Sequence, residues 1–395
     1  MPFELKKVLV TGGAGYIGSH VVYTLIKTGQ YKVISIDNHH NSLPASLSRV
    51  SALALSELKS SLNRDPTESE VESTKIDAHT ADLTSSSSVN QIFSLYGQGG
   101  IWGVVHIAAF KAVGESTQIP LTYYANNVSA TLSLLQVMTQ WGCRRIVYSS
   151  SATVYGTPPE IPIKETTRRE PESPYGKTKV ACEWMIEDLC TSTMDGKSVP
   201  FQAISLRYFN PAGAHPSGLV GEDPKGRPGN LLPLLAHIAV GRIGNGDPAN
   251  EKSILKVFGD DYPTVDGTCV RDYLHVLDLA GALDEEGKLN ERVFKSRTDI
   301  VGGKDRRPGD AKFKAYNLGK GIGVSVLEIV EAMKKATGFQ FRTEVIGRRA
   351  GDVPYLIAEP TLAQTELGFS APRTLDVMCA DLWRWQKANP QGYDA

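Results

Sequence analysis

An α/β fold is predicted: a doubly wound parallel sheet followed by a smaller C-terminal α/β lobe. Three observations predict it. Short apolar runs rich in β-branched residues alternate with stretches of helical periodicity, the pattern of parallel βαβ units. A glycine cluster joins the first strand to the first helix. Glycine and proline become dense from Pro211 to Pro228, where the regular alternation gives way to longer loops. The length of 395 residues also suits two lobes rather than one core.

The elements follow in order. Residues 7–11 (KVLVT) form the first strand. Residues 17–27 place Ile17, Val21, Val22, Leu25 and Ile26 at helical spacing, and Gly29 stops the helix. Residues 33–36 are the next strand, closed by Asp37. Residues 103–107, 145–148 and 201–207 read as further buried strands, and 121–141 as one long helix. Residues 175–189 read as a helix announced by Ser173-Pro174. Two segments interrupt the alternation and read as surface decoration: a helical excursion over 42–75 and a charge-rich loop over 283–314. The lobes are expected over 1–209 and 210–395, with some later segments returning to the first.

Composition excludes several functions. Hydrophobic residues at 41% and charged residues at 22% give the chain enough apolar material for a core, so it is not disordered. The formal net charge of −1 leaves no bulk attraction for nucleic acid or an anionic membrane. The first residues, MPFELKKVLVTGG, lack the apolar stretch of a secretory signal, and no run is long enough to span a bilayer. Five scattered cysteines without C-x-x-C, and histidines without ligand spacing, predict a reduced, cytoplasmic protein with no metal.

Thr11-Gly12-Gly13-Ala14-Gly15-Tyr16-Ile17-Gly18 fits G-x-G-x-x-G through Gly13, Gly15 and Gly18, and G-x-x-G-x-x-G through Gly12, Gly15 and Gly18. Alone the pattern is weak. Here it lies between a strand and a helix, and Asp37 closes the next strand nineteen positions after Gly18, which is the context of a Rossmann-type dinucleotide site. Glycines let the backbone approach a pyrophosphate, and the helix amino end supplies N–H groups and partial positive charge. A carboxylate at Asp37 repels a 2′-phosphate and no arginine follows it, so NAD is favoured over NADP.

Tyr-x-x-x-Lys occurs three times, at Tyr23/Lys27, Tyr175/Lys179 and Tyr316/Lys320, so the spacing alone selects none. Tyr175 differs because it opens a helix after proline and follows a strand ending in Ser149-Ser150-Ser151. Positions four apart share a helix face, which brings Lys179 near the Tyr175 phenol. With Ser151 bonding the substrate oxygen, the trio can deprotonate a secondary alcohol while NAD takes a hydride. A solvated Tyr and Lys on a surface helix is the plainer alternative.

At these residues the chain resembles the extended short-chain dehydrogenase/reductase family, along nearly its whole length. The resemblance rests on TGGAGYIGSH (11–20), HIAAFKAVGES (106–116), YYANN (123–127), SSSATVYG (149–156) and SPYGKTK (173–179), and on RYFNPAGAH (207–215), FGDDYPTVDG (258–267) and VRDYLH (270–275), which belong to its nucleotide-sugar branch. It implies that UDP-galactose and UDP-glucose are interconverted through a 4-keto intermediate with tightly held NAD. Tyr175 is then the base, supported by Lys179 and Ser151. The NAD contacts it implies are Gly12, Gly15, Tyr16, Ile17, Gly18, Asp37, Asn38, Asn41, Ser42, Asp82, Leu83, Ile107, Ala108, Ala109, Lys111, Asn126, Ser151, Tyr175, Lys179 and Phe209. The UDP-sugar contacts are Ser151, Tyr175, Asn210, Asn230, Leu231, Phe258, Arg271, Tyr273, Arg349, Asp352 and Leu356. Arg271 and Arg349 suit phosphate oxygens. Relatives with Tyr at the position of Leu356 resemble enzymes confined to glucose and galactose, and smaller residues go with 2-acetamido sugars, so Leu predicts weak activity on UDP-N-acetylhexosamines.

Within that family a 4,6-dehydratase needs an acid/base pair just after the active-site hydroxyl, where this chain has Ala152 and Thr153. A decarboxylase also wants an acid nearby. A non-catalytic NAD sensor could have lost Tyr175, Lys179 or Ser151, and all three remain. The helices over 121–141 and 175–190 resemble the pair that forms a dimer interface in the family, so a homodimer is expected.

Overall fold

The computed structural model describes residues 5–393 except 195–196, 199–200, 285–312 and 350. Among the described residues, seven parallel strands form the central sheet: β1 (Lys6–Thr11), β2 (Tyr31–Asp37), β3 (Ile76–Thr80), β4 (Gly103–His106), β5 (Arg145–Ser151), β6 (Gln202–Tyr208) and, from much later in the chain, β10 (Phe313–Leu318). Their spatial order is β10-β6-β5-β4-β1-β2-β3. The winding direction reverses between β1 and β4, the place where doubly wound sheets bind ligands.

Alternate side chains of each strand enter different cores, which is why the strands read as unbroken apolar runs. Val8 and Val10 of β1 face helices α1 (Tyr16–Lys27) and α2 (Ala45–Ser61), with Val21, Val22, Leu25, Leu47, Val50 and Leu53 in the same core. Leu9 points the other way, into a core with α3 (Ser86–Tyr96), α4 (Ser129–Gln140) and α5 (Pro174–Thr191), among Phe93, Leu134, Met138 and Ile186.

The helix at Glu68–Ser73 buries no residue, as surface decoration would, but the first part of segment 42–75 corrects that expectation. Its helix α2 buries Leu47, Val50, Leu53 and Ala54 in the main core, so it is the crossover between β2 and β3. The long helix expected over 121–141 is present from Pro120 to Gln140, with a π-helical turn at Tyr124–Val128 between the α turn at Pro120–Tyr123 and α4. The other insertion expected, 283–314, falls largely on 285–312, outside the described residues.

The C-terminal elements have a core of their own. Helices α6 (Leu231–Val240), α8 (Val326–Thr337) and α9 (Leu375–Ala388) pack through Leu235, Ile329, Met333, Leu382 and Trp385. Short strands β7 (Asn210–Ala212), β9 (Val270–His275), β11 (Gly323–Ser325) and β13 (Tyr355–Leu356) form one small sheet, and β8 (Leu255–Phe258) pairs with β12 (Thr343–Ile346). Helix α7 (Val276–Asp284) returns to the main core through Leu279 and Ala280, packing beside α1. No helix among the described residues is long and apolar enough to cross a membrane.

Candidate active site

The glycine loop ends β1 at the switch point. Gly12 has φ +69°, and a Cβ there would meet the Ala108 amide nitrogen at 2.9 Å. At Gly18 a Cβ would fall 2.0 Å from the Gly12 carbonyl oxygen, so a side chain would force the loop apart. Gly15 starts α1 without a side-chain cap, leaving the first helical amides to an anion. Ile107 and Ala108 lie against this loop, their amides donating to the Thr11 carbonyl at 3.3 and 3.1 Å.

Asp37 is buried at the end of β2. Its carboxylate already accepts from the Ala14 amide (3.1 Å), the His39 amide (2.8 Å) and the Ser42 hydroxyl (2.8 Å). A carboxylate has about four lone-pair sites, so about one remains for a ribose hydroxyl. Beside it, Asn38 Nδ2 donates to Asp82 Oδ2 at 3.3 Å, and Leu83 is buried below. A glycine cradle, an uncapped helix end and an acidic rim fit a dinucleotide without a 2′-phosphate.

The reactive side chains come from β5 and α5. Ser173 caps α5, accepting from the Gly176 amide at 3.1 Å, and Pro174 occupies the first turn. Tyr175, Lys179 and Glu183 then recur at i, i+4 and i+8, and all three are buried. Lys179 Nζ donates to the Ser149 carbonyl at 2.6 Å and lies 5.8 Å from the centre of the Tyr175 ring. Ser151 Oγ accepts from the Thr153 amide at 3.2 Å and the Thr153 hydroxyl at 3.0 Å. A hydroxyl has two lone pairs and one proton, so Ser151 is left as a donor toward Tyr175 and whatever oxygen binds there.

Burial pushes the Tyr175 phenol up to about 12, opposed by the Ser151 hydroxyl. Burial also brings Lys179 down to about 8, against the pull of Cys182 and Glu183. In the protein alone the phenol is raised, because desolvation outweighs the Ser151 hydrogen bond. A further cation is required to ionise the phenol near neutrality.

Two buried networks hold this geometry and were missed from sequence. Arg207 of β6 grips Glu183 through Nε (3.0 Å) and Nη2 (2.8 Å), and Ser205 donates to the same carboxylate at 2.7 Å. Arg207 holds the Glu183 carboxyl below the ordinary range despite its burial. Asn127, in the π-helical turn, accepts from the Phe110 amide (2.8 Å) and donates to the Thr178 hydroxyl (3.0 Å), pinning the loop after β4 to α5. The adjacent Asn126 donates to Asn127 at 2.9 Å. The doubled asparagine in YYANN was the available signal.

The residues expected at a UDP-sugar form a second cluster. Arg271 donates to the Val353 carbonyl at 2.8 Å and to Asp352 at 3.3 Å; Arg349 donates to Asp352 at 2.9 and 3.1 Å. Arg349 also sits 5.5 Å from the centre of the Phe258 ring, which is 39% exposed and free to face a base. Tyr273 pairs with Asn210 across β9 and β7, and Arg271 with Leu356 across β9 and β13. Leu356 packs against the cluster containing Ala152 and Phe209, so it joins this end to the catalytic wall. Leu231 opens α6, with Asn230 preceding it. Lys111 is engaged with Glu222 at 2.9 Å, and the Tyr16 hydroxyl donates to the Gly213 carbonyl at 2.7 Å. Neither contact was expected. No group of acidic, histidine and cysteine side chains among the described residues is arranged to hold a metal.

Residues 8–285 match the model of the NAD dependent epimerase/dehydratase family. The chain is 42% identical over 396 residues to a UDP-glucose 4-epimerase of Homo sapiens, covering 98% of each. It is 43% identical over 386 residues to one of Bacillus subtilis, again covering 98% of each. The fold superposes on the crystal structure of a UDP-glucose 4-epimerase from Bifidobacterium longum in complex with NAD+ and UDP. There the TM-score is 0.79 and the identity 38%, over 98% of this chain and 100% of that one.

Proposed function

The chain belongs to the NAD dependent epimerase/dehydratase family, and from that membership we propose that it interconverts UDP-galactose and UDP-glucose by inverting C4, with NAD as a retained cofactor. The observation that carries this reading is the set of donor, base and cation, Ser151, Tyr175 and Lys179, gathered at the end of β5 and the start of α5 in a chain so similar end to end to known 4-epimerases.

Held at the glycine loop and Asp37, NAD would supply the hydride acceptor and donor for C4. The protein's part is proton transfer and placement. Tyr175 takes the proton of the 4-hydroxyl as C4 is oxidised to a ketone and gives it back on reduction. Ser151 donates to the same sugar oxygen. Lys179 supplies positive charge close to the phenol. Arg271 and Arg349 hold the diphosphate and Phe258 faces the base, while the sugar beyond them stays loosely held, as rotation between its two faces requires. Phe209 and Leu356 bound the space in which it turns. The cofactor half is assigned to residues 1–209 and the sugar-nucleotide half to 210–395, with β10 and α7 rejoining the first.

The test mixes purified protein with UDP-galactose and no added cofactor. UDP-glucose is the expected product. A stable 4-keto-6-deoxy sugar would favour the dehydratase instead, although Ala152 cannot titrate and the Thr153 hydroxyl is spent on Ser151. For UDP-N-acetylgalactosamine a measurable but weaker rate is expected, abolished by Leu356→Tyr. Equal rates for both substrates would refute that role for Leu356.

The protein is also read as a cytoplasmic homodimer. Leu132 on α4 and Trp184 on α5 are 45% and 53% exposed, with Leu121 nearby in sequence at 80%, an apolar surface suited to a second copy.

A further inference from the structure

Residues 222–230 have no regular secondary structure, yet they are anchored from two sides. On one side they belong to the C-terminal elements. Asp223 accepts from Arg242 Nη1 and from the Tyr393 amide, both at 2.9 Å. The Glu222 carbonyl accepts from Trp385 Nε1 at 3.2 Å. Gly221 lies so close to Trp385 that a Cβ would come within 2.3 Å of the indole.

On the other side they reach the cofactor half. The Glu222 carboxylate, nearly fully buried, accepts from Lys111 Nζ at 2.9 Å. The same oxygen lies 3.5 Å from Asn230 Nδ2. Lys225 Nζ donates to the His39 carbonyl at 2.6 Å, and its amide donates to Asn41 Oδ1 at 2.8 Å. His39 has φ +55°, a conformation disfavoured for any residue with a Cβ. Its amide bond to Asp37 and the Lys225 contact hold it there.

We propose that residues 222–230 are a strap that keeps the dinucleotide captive, and that Glu222 is a positioning residue coupling the cofactor half of the site to the sugar-nucleotide half. Lys225 crosses to the rim of the Asp37 pocket, so the strap must detach there before the cofactor leaves. Lifting it also breaks the ion pair between the buried Glu222 carboxylate and Lys111. Slow release follows from that coupled cost. Because one carboxylate oxygen meets both Lys111 and Asn230, cofactor and UDP-sugar binding share this residue. The inference rests on the function proposed above.

The experiment uses the full chain loaded with NAD and follows bound NAD by chromatography after dilution, beside UDP binding by calorimetry. Lys225→Ala and Glu222→Ala are expected to release NAD about tenfold faster than the parent or more, with Glu222→Gln between them. UDP affinity is expected to fall in Glu222→Ala and to hold in Lys225→Ala, a split that general destabilisation would not produce. Release within about twofold of the parent in the exposed Lys225→Ala would overturn the strap, even if Glu222→Ala fails to fold. A parent that holds no NAD would overturn it too. UDP-galactose turnover is measured on the same parent sample: slow release without turnover sinks the reaction and spares the strap, and turnover with fast release does the reverse.

Discussion

Ser151 illustrates how much a single proton's direction decides. With both lone pairs taken by Thr153, its hydrogen is committed to the reacting oxygen. Ser151→Ala is therefore expected to lower kcat about 10²-fold, the scale of losing one donor at a developing anion. Tyr175→Phe removes the base itself, and a loss of about 10³-fold or more is expected with NAD still bound, measured as UDP-glucose formed from UDP-galactose. The pH dependence follows from the buried phenol. Tyr175 acts as a base only when ionised, and burial alone leaves it protonated up to about 12. Bringing it near 7 needs about 7 kcal/mol of preferential stabilisation of the phenolate. Lys179 and the positively charged nicotinamide ring are the cations available for that. Activity is thus expected to rise with pH along an acid limb, and Lys179→Met to move that limb upward by about one pH unit or more, read from kcat/KM profiles. An unmoved limb would remove Lys179 from this role. At this scale the sequence was legible where spacing and context agreed, as in Ser173-Pro174-Tyr175. It was silent on Glu183 and Glu222, whose partners lie across the fold.

The elements show where periodicity informs and where it misleads. The first strand, helix and strand emerged nearly to the residue because the strands are unbroken buried runs and the helix between them buries residues at helical spacing. Helix α2 was misread as decoration because its six serines dilute the apolar stripe, yet Val50 is wholly buried and Leu53 nearly so. Leu53→Ala is expected to cost about 2–4 kcal/mol in chemical denaturation, whereas a surface helix would tolerate it. The π-helical turn at Tyr124–Val128 carries both asparagines, and π turns tend to mark functional sites. Asn127→Ala is expected to lower kcat more than it raises KM, since it frees the loop after β4 from α5.

At the scale of the whole molecule, the exposed faces of α4 and α5 are expected to join two copies. Sedimentation should give twice the 42.9-kDa chain mass, and Trp184→Glu should return the monomer. A parent sedimenting as a single chain would refute the dimer. The order of the strands was not written locally. β10 lies more than a hundred residues beyond β6 yet pairs with it, and that return closes the sheet edge. Local chemistry could announce the parallel sheet, the glycine loop, the base and the acidic rim, because each depends on neighbours within a few turns of chain. Long-range packing alone could make Glu222 a bridge and raise the Tyr175 phenol. Those properties come from desolvation and from partners brought together out of distant segments, and no short window of residues contains them.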